Sequence, residues 1–318
     1  MAVLFNEEEA LFQRFLRLEK DRLNELVDSI FQSETSWTVV YGGGDNSIIE
    51  EEESTSDPSS PSNEPRQLIV CEAADRFSLL LLNLIDRSTY IPLSRYRLRI
   101  IHLLIDTVDD FCLRLSQVVH VYEERWPFTR KFYSLLNTFG YLLTLVGEWQ
   151  NGGGSYFMQT LTENGQDLTV FSPTARTLQH MIEEIFERIE NNIIADVTLD
   201  IIEYKKLNWH GMKLNIGEDE HQQQQQQQQP SLSISQAGAT LVYHISMQLA
   251  ALKRALSTDL FHSFLYDVAE KVQRLFFERI ILEHYFNHDG ARQLQYDIEK
   301  GLLAIFALYL KNTEYTFS

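Results

Sequence analysis

Asp106, Asp109 and Asp110 form a D-x-x-D-D pattern within a helical stretch. Carboxylates at i, i+3 and i+4 are the oxygen ligands a hard divalent cation takes. Such a site would support metal-assisted chemistry on a diphosphate. Helical phasing opposes it: at about 100° per residue, Asp106 and Asp110 each fall roughly 160° from the centre of the apolar stripe Ile101–Leu115. No second acidic box accompanies them, and Arg114, four residues after Asp110, offers an ordinary surface partner. His284 and His288 have the spacing by which one helix face presents two zinc ligands. Tyr285 stands where a metalloprotease needs Glu, and His120, His180, His244 and His262 have no ligand spacing. Two histidines do not complete a zinc site, so both read as structural. Cys71 and Cys112 have no CxxC partner, and no serine sits in a G-x-S-x-G elbow. The expectation is no catalytic residue, no metal and no cofactor; partner-contact residues are not legible from one sequence.

The elements that would position any site are helical almost throughout. Ile101, Leu104, Ile105, Val108, Phe111, Cys112, Leu115, Val118 and Val119 follow the i, i+3, i+4, i+7 template. Ile182 to Val197, Val268 to Phe286 and Leu294 to Tyr309 carry further stripes, the one from Val268 running through Leu282. Strand-like alternation is confined to Ser36–Tyr41. The fold class is therefore all-α, with amphipathic helices packed as antiparallel bundles. Composition divides the 318 residues into an amino-terminal helical segment 1–41, a disordered acidic loop 42–66, a first bundle 67–160 and a second bundle 161–318. The second bundle is interrupted by a low-complexity linker, 215–237, which contains Gln222 to Gln229. Both glycine triplets, at 42–44 and 152–154, lack the Lys-Ser/Thr of a phosphate loop and read as linkers.

The net charge of −18 disfavours direct nucleic-acid binding and a polybasic membrane mode, since both require a Lys/Arg surplus. More than half of it, −10, falls in residues 1–70. Two cysteines make no disulfide framework and fit a reducing compartment. The start lacks the features of a signal peptide, and Gly301–Leu310 falls short of the ~20 apolar residues that span a bilayer. The chain reads as soluble and intracellular.

Four segments go beyond composition. FFERIILEHYFNHDGARQLQYDIEK (276–300) carries Ile281, Leu282, Phe286, Asn287, Gly290, Ala291, Gln293, Leu294, Gln295, Tyr296 and Asp297. With FLRLEKDR (15–22) and Trp37, VDDFCLRLSQV (108–118) and YKKLNW (204–209), it resembles the RINT/TIP family, in the family's order. The resemblance implies an elongated CATCHR-type rod of successive helical bundles, as in exocyst, COG and GARP subunits. It implies a non-catalytic subunit of the endoplasmic-reticulum tethering complex, NRZ or Dsl, in Golgi-to-ER retrograde vesicle transport. The implied partners are the other tether subunits and syntaxin-type ER SNAREs, with peripheral membrane association through them on the cytosolic face. Family members are longer, so the chain corresponds to a carboxy-terminal part, a fragment or a short isoform. Gly290 is expected to mark a helix break with Asn287 and Asp289 as its polar flank. The alternatives are an all-α metal-dependent enzyme on diphosphates and a checkpoint or genome-maintenance scaffold acting through protein contacts.

Overall fold

The computed structural model describes residues 9–41, 69–122, 126–152, 155–214 and 232–310. The acidic stretch 42–66 and most of the linker, 215–231, lie outside the described residues. Contacts divide the chain into two compact units, Met1–Ile185 with Ala255–Thr258, and Phe186–Arg254 with Asp259–Ser318. The sequence partition at 160/161 follows a break in composition; this one follows a thinning of contacts.

In the first unit, α1 (Glu9–Gln32) leads through a 3-10 turn (Glu34–Trp37) to β1 (Val39–Tyr41), and β2 (Ile69–Cys71) leads into α2 (Glu72–Thr89). Next come α3 (Ser94–Tyr122), α4 (Arg130–Gln150), α5 (Ser155–Glu163), a 3-10 turn (Leu168–Phe171) and the first part of α6 (Ser172–Lys205). Glu19 of α1 meets Arg87 late in α2, and Ser36 just after α1 accepts from Arg76 early in α2, so α1 and α2 run antiparallel. Arg99 pairs with Glu9 and Arg114 with Asp28, which sets α1 and α3 parallel. Glu19 is buried, so Arg87 neutralises a carboxylate that water cannot reach. Ring stacks join the helices: Phe12 on Tyr96 at 4.0 Å and Phe77 on Phe111 at 3.8 Å. Both pairs are buried and combine area burial with favourable ring geometry.

Val39, Val40 and Tyr41 pair antiparallel with Cys71, Val70 and Ile69 in a two-stranded ribbon. The alternation from Ser36 thus marks one real strand, but its first residues form the 3-10 turn, and the partner strand gave no comparable signal. The ribbon is fixed to α4, where the Cys71 amide donates to Thr138 Oγ1 and Cys71 Sγ lies 3.2 Å from Ser134 Oγ. Asn137, fully buried in α4, donates to the Ala255 carbonyl and accepts from the Ser257 amide, both at 2.8 Å. Those two bonds make Ala255–Thr258 part of this unit.

The second unit holds the rest of α6, α7 (Gln236–Ala255), α8 (Thr258–Phe276), a π-helical turn (Phe277–Ile281), α9 (His288–Tyr296), a second π-helical turn (Asp297–Leu302) and α10 (Leu303–Leu310). Gln248 bonds Asp196 and His244 bonds Asp200, placing α7 antiparallel to α6. Phe186 meets Phe264 edge-on, and Lys271 pairs with the buried Glu190. The stripe Ile182 to Val197 is buried as expected, and so are Val268 and Val272. The stripe predicted to run on to Phe286 does not hold. Helix α8 ends at Phe276, the wider π turn shifts the phase, and Leu282 is 65% exposed.

Among the described residues no helix is long and apolar enough to cross a membrane. Both cysteines are free and buried, in different parts of the first unit. Burial pushes both thiols above their usual range; the nearby Asp109 charge adds to this at Cys112, while Ser134 and Thr138 partly oppose it at Cys71. We expect less than about a tenth of either thiol to react with an aromatic disulfide reagent at pH 8 in the minutes that suffice for both in guanidinium.

Candidate functional site

The aspartates of the D-x-x-D-D pattern do not converge. Asp106, Asp109 and Asp110 are exposed on α3. Asp110 lies 3.6 Å from Arg114, the partner read from the sequence. Arg114 also bonds Asp28 and lies over the Phe31 ring, so it ties α1 to α3. Partial burial pushes the Asp109 carboxyl up, opposed by the Thr174 hydroxyl at the start of α6 and reinforced by Asp106. His284 and His288 do not share a helix face, because residues 284–287 have no helical structure between them. His284 Nδ1 lies 3.0 Å from the Ile280 carbonyl, and the exposed His288 stands beside Asp289. Among the described residues no three His, Cys, Asp or Glu side chains gather closely enough to hold a metal ion.

What converges instead are two of the sequence segments, 204–209 and 276–300, with the start of α7. Asp297 is 4% exposed, and no cation pairs with it among the described residues. Its carboxylate accepts from Tyr204 Oη at 2.8 Å, Gln293 Nε2 at 2.8 Å, and the Ser235 amide and hydroxyl at 2.9 and 2.5 Å. Ser235 is the residue before α7, and its Oγ also accepts from the Gly238 amide, as an N-cap does. The carboxylate therefore sits at the positive end of α7, which helps stabilise a buried charge. Gly238 permits the approach: a Cβ there would lie 2.8 Å from Ser235 Oγ and 3.0 Å from Asp297 Oδ2. Burial, then the Asp297 charge and bond, push the Tyr204 hydroxyl far above its usual range, so it stays a donor.

Around this carboxylate the backbone turns sharply. Asn287 caps α9: its Oδ1 accepts from the Gly290 amide at 2.7 Å and its Nδ2 donates to the Met212 carbonyl at 2.7 Å. The Asn287 amide bonds the Trp209 carbonyl at 3.3 Å, and Asp289 accepts from the Leu214 amide at 3.1 Å. A Cβ on Gly290 would lie 2.1 Å from that same Trp209 carbonyl. Gly290 is thus not the helix break; it lies in the first turn of α9, while the break precedes Asn287. Trp209 packs between Tyr204 and Phe286, at 5.1 and 5.5 Å.

The outer side of the same segments is open. Leu207, Asn208, Trp209, His210, Glu283, His284, Tyr285 and Phe286 line a groove of about 610 Å³. Beside it Phe277, Ile281, Leu282 and Tyr285 are exposed, Tyr285 by 88%. Lys205 bonds Glu283 at the rim; that bond, with Arg279 nearby, holds the Glu283 carboxyl below its usual range despite slight desolvation. Of the titratable side chains that line it, Glu283 is engaged by Lys205 and His284 Nδ1 by the Ile280 carbonyl. Its chemistry is that of an aromatic and aliphatic contact surface with a charged edge.

Gly290→Ala must displace backbone, and we expect a loss of about 3 kcal/mol in chemical denaturation. Asp297→Asn turns an amide N–H₂ toward donors and is expected to cost about 2–4 kcal/mol by the same measurement.

A model of the RINT-1/TIP-1 family matches residues 1–318. The RINT1-like protein of Drosophila melanogaster is 23% identical over 309 residues, which cover 96% of this chain and 37% of that protein. The chain therefore spans little more than a third of the relative's length. The crystal structure of the C-terminal domain of the exocyst subunit Sec6p superposes with a TM-score of 0.61 at 10% identity, over 97% of this chain and 73% of that one. That likeness is one of fold, an all-α helical-bundle architecture. The chain belongs to the RINT-1/TIP-1 family.

Proposed function

We propose that this chain acts as a non-catalytic part of a tethering complex at the cytosolic face of the endoplasmic reticulum, in Golgi-to-ER retrograde transport. It works through protein contacts, with syntaxin-type ER SNAREs and the other NRZ/Dsl tether subunits as partners and membrane association through them. Family membership and a tether-like fold support the reading. The observation that carries it to particular residues is the division of the 276–300 segment. Its polar half, Asn287, Gln293 and Asp297, is consumed by the fold. Phe277, Ile281, Leu282 and Tyr285 are 50%, 41%, 65% and 88% exposed. Large apolar side chains grouped at a surface mark protein contacts, and an amphipathic partner helix buries such a face through its i, i+3, i+4 anchors.

Affinity isolation of the protein from cells is expected to recover ER SNAREs and tether subunits. Leu282→Asp combined with Tyr285→Ala is expected to lower that recovery at least about tenfold, as loss of central interface anchors does. The melting temperature should stay within about 2 °C, because both side chains are exposed. Recovery of neither partner class by the unsubstituted protein would overturn the tethering reading, and undiminished recovery by the variant would remove this face from it.

A further inference from the structure

The two ends of the glutamine-rich stretch are held by the same short segment. On the amino-terminal side, Asn287 Nδ2 donates to the Met212 carbonyl at 2.7 Å and Asp289 Oδ2 accepts from the Leu214 amide at 3.1 Å. On the carboxy-terminal side, Gln293 Nε2 donates to the Ser233 carbonyl at 2.9 Å and Asp297 accepts from the Ser235 amide and hydroxyl. Asp289, Gln293 and Asp297 follow one another at four-residue steps, so they line one side of α9 and its continuation, about 6 Å apart per step. The chain leaves α9 at its first turn and is captured again one turn later. Gln293 and Asp297 are themselves buried, which shields the returning bonds from water.

We infer that Asn287–Asp297 is a clasp that fixes both ends of the 215–231 stretch independently of the stretch itself, so that this stretch can be shortened or cut without loss of the fold. Beside the direct α6–α7 bonds of Asp196 with Gln248 and Asp200 with His244, the residues that flank the stretch are joined through α9. With both ends fixed, the entropic cost of the intervening residues rises only with the logarithm of their number. The unit is then held as two pieces in register: α6 with residues 206–214, and α7 through α10 from residue 232 onward. The covalent link contributes proximity and nothing to the register.

Three measurements on the full chain test this. Deleting Gln222–Gln229 is expected to move the melting temperature by no more than about 2 °C; a fall of more than about 5 °C would overturn the inference. Replacing the same eight residues with a specific protease site and cutting there should leave both pieces in one gel-filtration peak with unchanged far-ultraviolet circular dichroism. Separation of the pieces in native buffer would overturn it. In the cut protein, Asp297→Asn should lower the denaturant concentration at which the pieces part, and by more than a control substitution at the exposed Tyr285. Equal midpoints would show that something other than the clasp joins them.

Discussion

A buried carboxylate without a cation is a demanding object, and the second unit is arranged around one. Four donor hydrogens and the start of a helix are directed at the Asp297 carboxylate. The donors come from three places: the end of α6, the residue before α7, which supplies two, and the preceding turn of α9. Satisfying the charge therefore specifies how three elements meet. Hydrophobic burial alone would leave their register loosely defined, because apolar contacts are non-directional. Ser235 is the pivot, donating to the carboxylate while accepting from the Gly238 amide, so one hydroxyl couples the charge to the helix cap.

The first unit meets the same problem differently. Glu19 is buried there as well, but a guanidinium answers it directly, and the pair sets two helices antiparallel. Asn137 does by neutral bonds what Asp297 does by charge, capturing the 255–257 backbone from within α4. Three buried polar side chains thus help decide which segments are neighbours, while aliphatic and aromatic side chains supply the burial. Polar atoms carry the specificity because leaving any of them unpaired costs more than a lost apolar contact.

The helices were legible in the sequence because their apolar period is long and unbroken: every member of the Ile182–Val197 stripe is buried. The exposed aspartates of α3 were legible for the same reason, since phase alone places Asp106 and Asp110 outward. The period failed where the backbone departs from 3.6 residues per turn. The π-helical turn after α8 carries no signature in a hydrophobic pattern, so Leu282 read as core and stands in solvent. The His284/His288 spacing assumed a helix that the α9 cap interrupts. The family segments were recognisable singly, but that 204–209 and 276–300 form one cluster was not. Tyr204 and Asp297 are 93 residues apart, and no local rule links a tyrosine to so distant a carboxylate.

That separation also has a meaning in time. A ribosome adds about 5–20 residues per second, so Tyr204 is made roughly 5–20 s before Asp297. Through that interval the tyrosine hydroxyl lacks the carboxylate it donates to, and the Trp209 carbonyl lacks its partner until Asn287 is made. The first unit has its own late requirement, since Asn137 waits for Ser257. The contacts among α1, α2 and α3, however, need nothing beyond Tyr122. Synthesis is therefore ordered with respect to these bonds: the Asp297 network of the second unit cannot close until α9 has emerged. A chain stopped before α9 would carry an exposed aromatic cluster of Tyr204, Trp209 and Phe276, the kind of surface that chaperones hold and proteases find.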